Sequence, residues 1–202
     1  VLSTSGLMIS IPENVFANNA KYYFKNAYKK AEKGDHYGAI SDYTKVIELT
    51  PNDASAYYNR GIAKDELQDY YGAISDYTKA IEMNPTYAGA YYNRGNVKGR
   101  LKDNQSALLD FNKSLEIDPS NDQAYISRGV IKRRLGNFYG ALSDYYKAIE
   151  IKQQNPQAFI NISVVKEELG DIQGACLDAK KAVSLGNKDS LNIDWINENC
   201  YF

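Results

Sequence analysis

Five tandem copies of one segment, spaced 34 residues apart, constrain this 202-residue chain more than any other feature. The copy ASAYYNRGIAKDELQDYYGAISDYTKAIEMNP (54–85) returns as AGAYYNRGNVKGRLKDNQSALLDFNKSLEIDP (88–119) and as DQAYISRGVIKRRLGNFYGALSDYYKAIEIKQ (122–153). The frame is already present as AKYYFKNAYKKAEKGDHYGAISDYTKVIELTP (20–51), and a weaker copy, PQAFINISVVKEELGDIQGACLDAKKAVSLGN, spans 156–187. A short repeated unit cannot bury its own apolar face, so its copies must stack on one another.

Within a copy the apolar and small residues recur three and four apart, in two runs separated by a turn such as GDH, QDY, KDN, GNF or GDI. That spacing predicts two amphipathic helices per copy. The expected pairs are 20–33 and 36–49, 54–67 and 70–83, 88–101 and 104–117, 122–135 and 138–151, and 156–169 and 172–185. A large ring stands at position 4 (Tyr23, Tyr57, Tyr91, Tyr125, Phe159) and a small residue at position 8 (Ala27, Gly61, Gly95, Gly129, Ser163). Position 20 is always alanine (Ala39, Ala73, Ala107, Ala141, Ala175), and position 24 is Tyr43, Tyr77, Phe111, Tyr145 and then Ala179. Small residues at 8 and 20 let two helices approach closely, with rings filling the space around that contact. Proline at position 32 (Pro51, Pro85, Pro119) stops the second helix. Asx residues beyond it, as in Asn52-Asp53 and Ser120-Asn121, suit the next N-cap.

These residues resemble the tetratricopeptide repeat over residues 20 to 187, in the copies 20–53, 54–87, 88–121, 122–155 and 156–187. The resemblance implies an all-α, right-handed superhelical solenoid of five helix-turn-helix repeats, with first helices lining a concave inner face. The tail from 188 to 202 starts with an Asp189-Ser190 cap and carries Ile193, Trp195 and Ile196 at helical spacing. It resembles the extra helix that covers a last repeat.

Residues 1–19 lie outside the copies. VLSTSGLMISI reads either as the tail of a signal-peptide apolar region, with Val15-Phe16-Ala17 before a cleavage at Asn18, or as an N-terminal arm packing on the first repeat. An exported, periplasmic or lumenal location goes with the first reading and a cytoplasmic one with the second. No run of 18 apolar residues predicts membrane insertion. Cys176 and Cys200 are the two cysteines; no metal-ligand spacing joins them, and their pairing stays open at this stage.

The chain offers little material for catalysis. His36 is the one histidine, and it sits at a turn-packing position that Tyr70, Asn104, Phe138 and Ile172 occupy elsewhere. Neighbouring carboxylates such as Asp65-Glu66 and Glu167-Glu168 diverge by about 100° on a helix and make no acid–base pair. We therefore expect no enzyme, no cofactor and no metal. A formal charge of −1 argues against nucleic acid as a partner.

Function then falls to a surface. By the family's register, positions 2, 5, 6, 9, 12 and 13 face the groove. Position 5 gives Phe24, Tyr58, Tyr92, Ile126 and Ile160, an apolar and aromatic track expected to be wet. Position 6 adds Asn59, Asn93 and Asn161, whose amides suit an extended backbone, and position 9 adds Tyr28 and Asn96. At positions 12 and 13, Arg100, Arg133 and Arg134 make a basic stretch between Asp65-Glu66 and Glu167-Glu168, which suits an acidic stretch of a partner. Arg60, Arg94 and Arg128 at position 7 read as cations snorkelling over aromatics. The residues with which chaperone-binding relatives clamp a C-terminal carboxylate are missing in every frame; the second copy has Tyr58, Ile62, Asn93, Gln123 and Ser127 there. The expectation is an interaction scaffold taking a protein or peptide segment in its groove. The YNRG and GAISDYTKAIE wording also resembles bacterial repeat proteins that assist complex assembly. The alternative is a self-association module that stacks or swaps through its terminal repeats and tail, making an oligomer.

Overall fold

The computed structural model describes residues 13–187 and 190–200, and among these every regular element is an α-helix. The helices are α1 (Glu13–Glu32), α2 (His36–Leu49), α3 (Ala54–Glu66), α4 (Tyr70–Met83), α5 (Ala88–Arg100), α6 (Asn104–Ile117), α7 (Asp122–Arg134), α8 (Phe138–Ile151), α9 (Pro156–Glu168), α10 (Ile172–Ser184) and α11 (Ser190–Asn199). Consecutive helices pack as antiparallel hairpins. The chain forms two units, α1–α4 and α5–α11, each built by stacking such hairpins. α1 begins seven residues before the expected start at 20, so Val15-Phe16-Ala17 lie in its first turns. The rest of the N-terminal segment, 1–12, lies outside the described residues.

Local chemistry sets the boundaries. Asp35, Asp53, Asp69, Asp103, Asn121, Asn137, Asn155 and Asp171 each accept a bond from a backbone N–H of the first turn they precede, satisfying a donor that the helix itself leaves open. The turn after a first helix needs a left-handed residue, supplied by Gly34, Gly136 and Gly170; Gln68 and Lys102 adopt the same conformation at φ of 61° and 64°.

The core of each hairpin is the expected small-against-ring contact. Ala39, Ala73, Ala107, Ala141 and Ala175 are fully buried, and Tyr43, Tyr77, Phe111 and Tyr145 are at most 1% exposed. A Cβ on Gly129 would stand 2.5 Å from Tyr145 Cε1, and one on Gly61 2.8 Å from Tyr77 Cε1. Glycine at position 8 is therefore a steric requirement opposite Tyr77 and Tyr145, whereas in the first copy Ala27 packs with Tyr43 in one cluster.

A second layer is ionic and runs through the same hairpins. Arg60 holds Asp76 with Nε–Oδ2 at 2.9 Å and Nη2–Oδ1 at 2.7 Å, and Lys64 adds a contact at 2.7 Å. Arg94 and Lys98 treat Asp110 alike, as Arg128 and Lys132 treat Asp144. These three aspartates are only 2–4% exposed. The guanidinium carbons also lie 5.4–5.6 Å from the rings of Tyr57, Tyr91 and Tyr125. The snorkelling role is thus half of the picture: each arginine forks onto a buried carboxylate beneath the ring. Arg60 and Arg128 reach one hairpin back as well, to Thr44 and Asn112.

At the C-terminal end Cys176 and Cys200 form a disulfide joining α10 to the end of α11. Trp195 of α11 donates its indole N–H to Glu167 at 2.8 Å.

Candidate functional site

First helices α5, α7 and α9 touch in sequence within the second unit and make one wall. A cavity of about 410 Å³ opens along it. α5 contributes Tyr92, Asn96 and Arg100, α7 contributes Ile126, Val130 and Arg134, and α9 contributes Gln157 and Asn161. The helical period explains the convergence, because positions 5, 9 and 13 of a first helix fall on one stripe. Six of the twelve candidate residues therefore meet at one place: Tyr92, Asn96, Arg100, Ile126, Arg134 and Asn161.

The polar groups there are unevenly satisfied. Asn161 accepts a bond from Gln157 Nε2 at 3.3 Å, while its own Nδ2 is buried and has no hydrogen-bond partner. An amide donor in that condition favours a ligand able to accept from it. Arg134 donates Nη1–H to the carbonyl of Gly99 at 3.0 Å, which fixes its guanidinium at the end of α5. A further cavity of about 440 Å³ shares Gly99, Arg100 and Arg134 with the first and adds Lys102 and Asn104. Its lining is basic and contains no carboxylate.

Other candidates behave differently. Arg133 points its charge at Glu168, 2.7 Å away, so the pair largely cancels where a basic stretch was expected. The position 5 track is mostly covered: Ile126 and Ile160 are 6% and 8% exposed, and the rings of Phe24, Tyr58 and Tyr92 sit 5.4–6.1 Å from Tyr43, Tyr77 and Phe111. The cause is geometric, since position 5 leans over the position 24 ring of its own hairpin. Asn59 donates its amide to Ser55 O at 2.7 Å, within its own helix. Asn93, the neighbour of Tyr92, is half-buried, and Tyr28 is 51% exposed. In the first unit Phe24 lines a separate, mainly apolar cavity of about 530 Å³ with Ala20, Val46 and Thr50.

Burial pushes the Tyr145 hydroxyl up to about 12, with nearby Arg133 opposing the shift, and burial likewise raises Tyr43 to about 12. Among the described residues no group of three or more His, Cys, Asp or Glu side chains is arranged to hold a metal, and no helix is long and apolar enough to cross a membrane.

Sequence reasoning missed the buried aspartates. Their signal was present: Asp42, Asp76, Asp110, Asp144 and Asp178 recur with the same 34-residue period as the cations they bind. Register faced position 2 to the groove without making it a candidate; Gln157 at that position lines the cavity, and Gln123 is its counterpart one copy earlier.

Comparison with known proteins agrees with this architecture. The tetratricopeptide repeat description matches residues 54–87, 88–121 and 122–155, and a TPR repeat description matches 26–64. No curated protein matches the chain. Among solved structures, a MamA protein superposes with a TM-score of 0.76 at 26% identity, covering 87% of this chain and 96% of its own. YrrB, described as a TPR protein with an unusual peptide-binding site, gives 0.74 at 20% identity over 91% of this chain and 98% of its own. PilF of Pseudomonas aeruginosa gives 0.79 at 13% identity over 88% and 81%. At the last two identities the likeness is one of fold. With the repeat signature spanning residues 26–155 and the paired helices it requires in place, this chain belongs to the tetratricopeptide repeat family.

Proposed function

We propose that this protein is a non-enzymatic interaction scaffold that takes an extended segment of a partner protein along the wall formed by α5, α7 and α9. Tetratricopeptide repeats are protein-interaction scaffolds, and a structurally similar member, YrrB, is described as peptide-binding. The observation that carries the reading is the convergence of Tyr92, Asn96, Ile126, Val130, Gln157 and Asn161 on one cavity, with a buried amide donor left over at Asn161. Apolar contacts there seat a side chain, and amides hold the backbone beside it. Arg100 and Arg134, with Lys102 beyond them, favour an acidic stretch in the bound segment. Arg133 contributes to this only if the ligand displaces Glu168. Help in assembling a larger complex is the role such a scaffold would serve.

Capture of partners from the native source tests this, using wild type, a Tyr92→Ala/Asn96→Ala/Asn161→Ala variant and an Arg100→Glu/Arg134→Glu variant, each with helicity checked by circular dichroism. Loss of the same protein with both variants supports the groove and its acidic ligand. Loss with the first alone removes the acidic stretch, and unchanged capture by both removes the groove. A Tyr58→Ala/Asn59→Ala variant asks whether the first unit takes part.

A further inference from the structure

The first helices after α1 begin at 54, 88, 122 and 156, and α11 begins at 190, on the same 34-residue step. α11 is therefore the opening helix of a sixth copy, and Ile193, Trp195 and Cys200 take positions 4, 6 and 11 of that copy. Its attachment differs from that of the other first helices. Each of those packs against a second helix of its own hairpin, whereas α11 packs chiefly against α10, with a hydrogen bond to α9. It is 10 residues long, shorter than a helix that holds its shape alone in water. Ile193 is 37% exposed, and Asp194, Asn197, Glu198 and Asn199 are exposed as well. Among the described side chains, the Trp195–Glu167 hydrogen bond and the Cys176–Cys200 disulfide fasten it to α9 and α10.

We propose that this disulfide is a redox latch on α11. Oxidised, it holds the helix against the end of the hairpin stack; reduced, the helix leaves and uncovers the face of α10 around Cys176. The reductant is a protein or small-molecule dithiol. Cys176 is fully buried and Cys200 is half-buried, so the dithiol's thiolate attacks the Cys200 sulfur. The S–S bond breaks and Cys176 leaves as a thiolate that takes up a proton. The dithiol's second thiolate then attacks its own sulfur in the mixed disulfide and expels Cys200 as a second thiolate, which is protonated in turn. Two electrons pass to the protein and the dithiol becomes a disulfide. The latch closes in an oxidising compartment and opens in a reducing one.

Trp195 is the single tryptophan, so its fluorescence reports on α11 alone. The oxidised full chain, the same chain in dithiothreitol, and the Cys200→Ser variant are compared by acrylamide quenching and by hydrogen exchange. The latch predicts that quenching rises at least twofold on reduction and that amide protection over 193–199 falls by tenfold or more. Protection in α5–α8 stays unchanged, and Cys200→Ser behaves as the reduced protein with or without reductant. An α11 that keeps its protection in both the reduced chain and Cys200→Ser would overturn the proposal, since packing would then hold the helix without the bond.

Discussion

The second, third and fourth hairpins differ from the first and fifth in how they handle the same buried aspartate. In the middle three, a forked arginine and a lysine share Asp76, Asp110 or Asp144, whose side chains are 3–5% exposed. In the first and fifth hairpins the arginine position holds Asn26 and Ile162; Asp42 is met by Lys30 and, at 3.5 Å on its other oxygen, Lys45, and Asp178 by Lys166. There the aspartate side chains are 7% and 16% exposed, and Lys30 itself is 40% exposed. A carboxylate with more solvent needs less protein charge to satisfy it, and one that is shut in needs both oxygens bound. The arginine is thus a device for burying a charge inside a hairpin, which the first and fifth copies do without.

The largest effect that would sharpen this contrast comes from removing one carboxylate of each kind. Asp110→Ala leaves Arg94 and Lys98 facing a dry site and should cost about 3–5 kcal/mol, read from urea unfolding. Asp178→Ala, facing a single partly solvated lysine, should cost about 1 kcal/mol. Equal losses would break the distinction between middle and end copies.

The steric layer gives a smaller effect of the same kind. Gly129→Ala drives a methyl into the Tyr145 ring and should cost about 1–3 kcal/mol, read from the same unfolding transition. The fifth hairpin already carries Ser163 at that place, opposite Ala179 instead of a ring, and so tolerates a side chain there.

The smallest effect is alkaline. Tyr145 and Tyr43 have hydroxyls raised from 10.0 to about 12 by burial, so the folded state holds those protons more tightly than the unfolded chain does. Their contribution is complete below pH 10 and is lost as pH rises toward 12, because the unfolded chain ionises first. Tyr145→Phe, which copies the natural Phe111 of the third hairpin, should flatten part of that decline in a pH series of thermal unfolding.

The helices were legible because their signals are local and repeated five times. Asx caps, period-three-and-four apolar residues and the small residues at positions 8 and 20 all point to one structure. The early start of α1 was not legible, since residues 13–19 stand outside the copies and have no counterpart to compare. The groove was legible in part. Register placed Tyr92, Asn96, Arg100, Ile126, Arg134 and Asn161 on one wall, but it could not show that Arg133 turns to Glu168 or that Asn59 bonds its own helix. Those choices depend on side-chain rotamers between neighbouring copies, which a repeat pattern does not encode. The Cys176–Cys200 pairing was equally open, since it depends on where α11 comes to lie.

The central claim is that a partner meets the wall of α5, α7 and α9 and not the outer helices. Hydrogen exchange of the complex with its captured partner tests it directly. Protection should appear in α5, α7 and α9 around Tyr92, Asn96, Val130 and Asn161. A footprint confined to α6, α8 and α10, where Leu109, Tyr139 and Leu177 are 66–77% exposed, would contradict it.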